Sequence, residues 1–215
     1  EPIDVLDSFG SEVARIDMNP SGTWLSVCLS NGKAFLYDLV ARKRTVVNPP
    51  GKSHDNFFPP MNPLFVNDRL LVVTQRRPGV QFWEQAPDLT WSQGTRFKEY
   101  PLIDSAVTPD GPWMALSRIT NAKYLPPDRV GGDKVSLWDI SNPASPDFDT
   151  SFQVPEEVSP DPSEGSLIVD VDPAGRFLAG VYWESGVSSH TVIWDIASGT
   201  ARVGAGGTRG GQVRR

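Results

Sequence analysis

Apolar residues along this chain recur at every second position or in short unbroken runs, and do not follow the three-to-four spacing of an amphipathic helix. Segments such as "KAFLYDL", "LLVVTQ" and "TVIWDI" are rich in β-branched and aromatic side chains. Proline arrives every ten or so positions, which breaks up any long hydrogen-bonded segment. This pattern predicts short strands separated by turns, hence a nearly all-β chain with little or no helix.

The strands fall into copies of one unit. Residues 13–39 read "VARIDMNPSGTWLSVCLSNGKAFLYDL", residues 103–140 contain "IDSAVTPDGPWMALS" and then "KVSLWDI", and residues 167–196 read "LIVDVDPAGRFLAGVYWESGVSSHTVIWDI". Each copy has an alternating run, a Pro-x-Gly turn (Pro20, Pro109, Pro173) and an aromatic two residues past the Gly (Trp24, Trp113, Phe177). A second run and a third ending in aromatic-Asp follow. A degenerate copy, "PLFVNDRLLVVTQRRPGVQFWEQ", replaces the turn with Asn67-Asp68 and ends in Trp83-Glu84. The aromatic-acid pairs begin at Tyr37, Trp83, Trp138 and Trp194, so the unit advances by 46, 55 and 56 residues. Pro- and Gly-rich insertions at 48–63, 119–133 and 159–165 account for the length beyond the roughly 40–45 residues of a four-stranded blade. A fourth strand candidate follows every pair: "KRTVVNP", "TWSQGTRFKEY", "DFDTSFQV" and "TARVGAG". The expected fold is an all-β propeller of four-stranded antiparallel blades, with blades at about 11–47, 60–99, 101–154 and 165–205.

With these features in order, the chain resembles the WD40-repeat β-propeller family, from about residue 11 to 205. The copy with Pro109-Asp-Gly111 and Trp138-Asp139 carries the resemblance furthest. No Gly-His pair precedes any copy, and Glu84 replaces Asp after Trp83, so the family's His–Ser/Thr–Trp–Asp network cannot be complete here. The family usually closes its ring with about seven blades, and an unclosed ring exposes strand edges. The expectation is therefore a segment of a larger propeller, with self-association to close the ring as another way to the same end. Residues 1–10 read as the outer strand of a preceding blade, and 206–215 as a flexible tail or the start of a further one.

Composition narrows the partners. A formal charge of −6 and a pI near 4.9 disfavour nucleic acid and anionic membrane, both of which call for clustered Lys and Arg. No apolar run has the length of a membrane span. The single cysteine, Cys28, cannot form an internal disulfide, and the small-residue setting "WLSVCLS" reads as core. Arg outnumbers Lys by 14 to 6, as in a GC-rich genome, and a bacterial, cytoplasmic setting is expected.

Recurrence assigns roles. Tyr37-Asp38, Trp83, Trp138-Asp139 and Trp194-Asp195 stand at equivalent places, so the aromatics are expected to pack between blades and the acids to hold turns. "KSHDNF" puts Ser53, His54 and Asp55 side by side, but a catalytic triad converges from across a fold, and no Gly-x-Ser-x-Gly elbow accompanies it. No Cys/His spacing suits a metal, and "GAGGTRGGQVRR" lacks a phosphate-loop Lys. The residues that break the repeat are more telling. Phe57, Phe58, Tyr124 and Trp183, with Arg76, Arg77 and Arg129 nearby, are the aromatic and Arg types that dominate binding energy, and all but Trp183 sit in loop segments. The expected function is a non-catalytic scaffold or sensing module without a cofactor, binding a protein or peptide through these loops. The competing expectation is an enzyme or small-ligand binder using inner-strand residues at the central channel, with Asp17, Ser105 and Asp170 as candidates.

Overall fold

In the computed structural model, residues 11–31, 33–47, 62–75, 79–97, 102–118, 134–158, 165–184, 188–204 and 207–208 are described. Four antiparallel sheets of four strands make a four-blade β-propeller, with no helix among the described residues. The first blade contains β1 (Val13–Met18), β2 (Trp24–Leu29), β3 (Ala34–Asp38) and β4 (Lys43–Val46). The second contains β5 (Asn62–Asn67), β6 (Leu70–Gln75), β7 (Gly79–Gln85) and β8 (Trp91–Phe97). β9 (Leu102–Val107), β10 (Trp113–Arg118), β11 (Lys134–Asp139) and β12 (Asp147–Gln153) form the third. The fourth has β13 (Gly165–Val171), β14 (Phe177–Glu184), β15 (Ser188–Asp195) and β16 (Ala201–Val203), and β17 (Gly207–Thr208) pairs with β15 beyond β16. Each sheet runs in sequence order from its first strand at the axis to its fourth at the periphery, so every connection within a blade is a hairpin.

Strand alternation gives each blade two faces, one toward the following blade (forward) and one toward the preceding blade (backward). Trp24, Cys28 and Leu36 on the forward face of the first blade meet Phe65, Leu71, Val73 and Trp83 of the second. Val72, Val80 and Phe82 meet Met114 and Leu116 of the third, and Ala115, Val135 and Leu137 meet Leu167, Val169, Leu178, Tyr182 and Trp194 of the fourth. Among the described residues, three of the four hydrophobic clusters therefore lie between blades, and alternation with two buried faces explains why the strands read as near-continuous apolar runs.

The recurrent aromatic of the third strand faces backward in every blade. Trp83, Trp138 and Trp194 all contribute to these junctions, while Tyr37 is on the backward face of the first blade. Trp138 stacks 4.5 Å from Phe97 of the preceding blade, and the Trp194 indole donates to the Gln153 carbonyl at 3.0 Å. Gly180 lies beneath Trp194: a Cβ there would come within 2.8 Å of both the Trp194 ring and Leu167 Cδ1. Gly180→Ala is expected to cost about 1–3 kcal/mol through overpacking, read as a lowered urea midpoint with unchanged slope.

Candidate functional site

The inner strands β1, β5, β9 and β13 line an axial groove of about 620 Å³, which includes Arg15, Asp17, Asn62, Asp104, Ser105 and Asp170. At its floor is Asp104, whose buried carboxylate collects donors from the three other blades. Arg15 of the first blade approaches Oδ1 at 3.5 Å, the Asn62 amide of the second donates to Oδ1 at 3.2 Å, and the Val169 backbone N–H of the fourth donates to Oδ2 at 3.2 Å. Asn62 also donates to the Ser105 hydroxyl at 2.9 Å and to its carbonyl at 3.0 Å, and accepts from Arg15 at 3.4 Å. Thr74 and Ser105 share a hydroxyl bond of 2.7 Å, and Ser117 ties β9 to the Leu167 carbonyl at 2.7 Å. These groups satisfy one another, as buried polar groups must.

Two of the three channel candidates are engaged between blades. Ser105 belongs to the network just described, and Asp17 reaches forward to accept from the Phe65 backbone N–H at 2.7 Å. Asp170 stands in the same place on the fourth blade, accepts only the local N–H of Val171 among the described bonds, and is exposed. Burial pushes the Asp17 carboxyl up from its ordinary value, against the downward pull of the Phe65 and Met18 N–H groups.

The acids after the third-strand aromatics cap turns. Asp38 accepts from the Val40 and Ala41 N–H groups, Asp139 from Ser141, and Asp195 from both N–H and hydroxyl of Ser198. Hydrogen bonds from Ser141 and Ser198 hold the Asp139 and Asp195 carboxyls below the usual range. The residue preceding each turn proline does comparable work on the first hairpin: Asn19 accepts from the Thr23 and Trp24 N–H groups, Thr108 from Trp113, and Asp172 from Arg176. A polar residue directly before Pro20, Pro109 and Pro173 is the sequence signal for these caps. Gly22 and Gly175 adopt positive φ of 68° and 67° in their turns, whereas in the third copy the left-handed residue is Asp110, at 52°.

These turns also touch one another. Asn19 and the Ser21 N–H donate to Asp68 of the second blade at 2.9 and 2.8 Å, the Asp110 N–H donates to the Val66 carbonyl at 2.8 Å, and Gly175 lies against the Trp113 ring. The hairpins β1–β2, β5–β6, β9–β10 and β13–β14 therefore gather at one end of the ring, and antiparallel pairing puts the third-to-fourth strand hairpins at that end too. At the opposite end are the strand termini flanking 48–61, 76–78, 119–133 and 185–187. Phe57, Phe58, Arg76, Arg77, Tyr124 and Arg129 lie outside the described residues. Trp183 is on β14, paired with Ser166 and Ser189, close to that same end.

Solved structures that resemble this chain share its fold. The chain is similar to the structure of U3-55K (TM-score 0.62, 12% identity, covering 93% of this chain and 54% of that one) and to TolB from Acinetobacter baumannii (TM-score 0.53, 17% identity, covering 92% and 44%). The likeness is one of fold. This chain spans about half the length of either protein. No family model matches it, and no curated protein matches it.

Two outcomes follow from the network. Asp104→Ala strands Arg15, the Asn62 amide and the Val169 N–H, and is expected to cost about 3–5 kcal/mol in denaturant unfolding, with Arg15→Ala milder because Arg15 is partly solvated. Asp17 titrates with the opposite sign to a normal ion-paired acid. Its folded value lies above its unfolded one, so its stabilising contribution is complete below the unfolded value near 3.9 and is lost as pH rises through the folded value. Asp17→Asn, which still offers Phe65 an acceptor, should melt higher than wild type at pH 7, with the gap closing toward pH 4.

Proposed function

We propose that this chain is a non-catalytic interaction module, a WD40-like propeller segment that binds a protein or peptide at the end of the ring opposite the tight turns. The supporting observation is the segregation of its connections. One end consists of capped hairpins that hydrogen-bond to their neighbours, while the Pro-, Gly- and aromatic-rich segments all depart from strand termini at the other. Rigid strands presenting variable segments are a common way to build a binding surface. Phe57, Phe58, Tyr124 and Trp183 are the proposed apolar anchors, with Arg76, Arg77 and Arg129 as polar neighbours. Ser105 and Asp17 spend their hydrogen bonds holding blades together, which weighs toward partner binding over chemistry at the axis.

The test compares partner capture by three proteins: wild type, the variant with Phe57, Phe58, Tyr124 and Trp183 all changed to Ala, and a turn-end control, Val40→Ser with Leu89→Ser. Both control residues are exposed at hairpins. The quadruple variant is expected to lose on the order of thirtyfold or more in affinity with its β-rich circular dichroism intact, while the control binds as wild type. Equal binding by the quadruple variant, or loss only in the control, overturns the assignment.

A further inference from the structure

The outer strands β4, β8, β12 and β16 stand at the periphery of the four blades, and they are not alike. β4 carries Lys43 and Arg44, β8 carries Arg96 and β16 carries Arg202, and none of the three contains an acid. Short length and basic side chains are common guards against unwanted strand pairing, and β4 and β16 have only four and three residues. β12 is seven residues long and holds Asp147 and Asp149 with no base. Beyond it, Val154 and the buried Val158 pack into the junction between the third and fourth blades and hold the turn between them, which leaves Glu156 and Glu157 exposed. None of these four acids forms an ion pair among the described residues.

The same strand carries an aromatic that the repeat does not call for. Opposite the third-strand aromatics Tyr37, Trp83 and Trp194 stand Arg44, Gln93 and Ala201, whereas Phe148 stands opposite Trp138. Phe148 is 48% exposed and meets the Trp138 indole edge to face at 5.6 Å, and Trp138 in turn stacks on Phe97 of the second blade. The Phe148 ring is thus braced from behind while it presents surface to solvent between two carboxylates. An edge strand also turns the N–H and C=O of every second residue away from its neighbour, and among the described strands β12 pairs with β11 alone. This edge lies at the periphery of an internal blade, away from the outward faces of the first and fourth.

We propose that β12 takes up an extended, Arg- or Lys-bearing peptide as a fifth strand of the third blade. The peptide backbone satisfies the outward N–H and C=O groups, its cations meet Asp147, Asp149, Glu156 and Glu157, and one of them lies against the Phe148 ring. Charge selects this occupant. A second copy of the chain pairing edge to edge through β12 sets acid against acid, and an acidic strand meets the same repulsion. The surface is distinct from the loop end of the ring, and its occupancy does not depend on a partner there.

Titration of the full chain at low ionic strength with a synthetic peptide as long as β12, blocked at both ends and alternating Arg with Val, tests this. Saturable binding is expected, weakening with added salt, together with slowed hydrogen exchange at the amides of β12 and not at those of β4. Asp147→Asn with Asp149→Asn keeps the side-chain shapes while removing their charge, and is expected to weaken binding on the order of tenfold with an unchanged thermal melt. A peptide with Glu in place of Arg should not bind, and one N-methylated at alternate amides should lose binding because it cannot complete the ladder. The variant with Phe57, Phe58, Tyr124 and Trp183 changed to Ala should take up the peptide as wild type does, so that failure at either surface is read without the other. No saturation, equal binding by the variant lacking both carboxylates or by either altered peptide, or slowed exchange elsewhere than β12 overturns the proposal.

Discussion

The propeller depends on one carboxylate. Asp104 is buried at the axis, where an uncompensated charge would be prohibitively costly, and it is compensated by donors from all three other blades at once. An ion pair in such a place is not strong evidence of net stability, because desolvation consumes most of its attraction. Its value is positional. Apolar blade faces tolerate sliding by a fraction of a residue, while an acceptor with donors from Arg15, Asn62 and the Val169 N–H is satisfied in one register only. Asn62, Thr74 and Ser105 extend that constraint outward along β5, β6 and β9.

Around this hub, the repeated residues and the singular ones divide the labour. Third-strand aromatics fill the space between blades, the acids behind them cap hairpins, and the polar residues before the turn prolines cap the other set. Where a copy departs from the pattern, a neighbour answers. The second blade lacks the Pro-x-Gly turn, and its Asp68 instead accepts two bonds from the first blade's turn. The same junction concentrates three indoles: Trp24 and Trp91 meet edge to face at 5.7 Å, the Gln85 amide accepts from both indole N–H groups when its oxygen is turned toward them, and Trp83 is buried beside them.

The blades were readable from the sequence because their signals are local. Alternation, Pro-x-Gly turns and aromatic-acid pairs lie within a few residues of one another, and each of the four sheets is built from four strands taken in sequence order. The hub was not readable in the same way. Asp104 lies in "LIDSAV", where nothing distinguishes it from a solvent-facing acid, and its partners Asn62 and Val169 are 42 and 65 residues away. Inner-strand reasoning named the adjacent Ser105 and the forward-reaching Asp17, but alternation alone cannot say which acid the donors of the other blades converge on. The caps at Asn19, Thr108 and Asp172 had a local signal, a polar residue before each proline, which only the hydrogen bonds make meaningful.

The division between the two ends of the ring also bears on how such a chain can change over time. At the turn end, a hairpin lengthened by one residue would pull Asn19 from Asp68 or Asp110 from Val66, and so disturb a junction between blades as well as its own loop. At the other end, extra residues enter between strand termini that the ladder already holds, such as Val46 and Asn62 or Arg118 and Lys134. Insertions and deletions are therefore filtered by geometry before any selection for binding acts, and the propeller can diversify one surface while the other preserves its assembly.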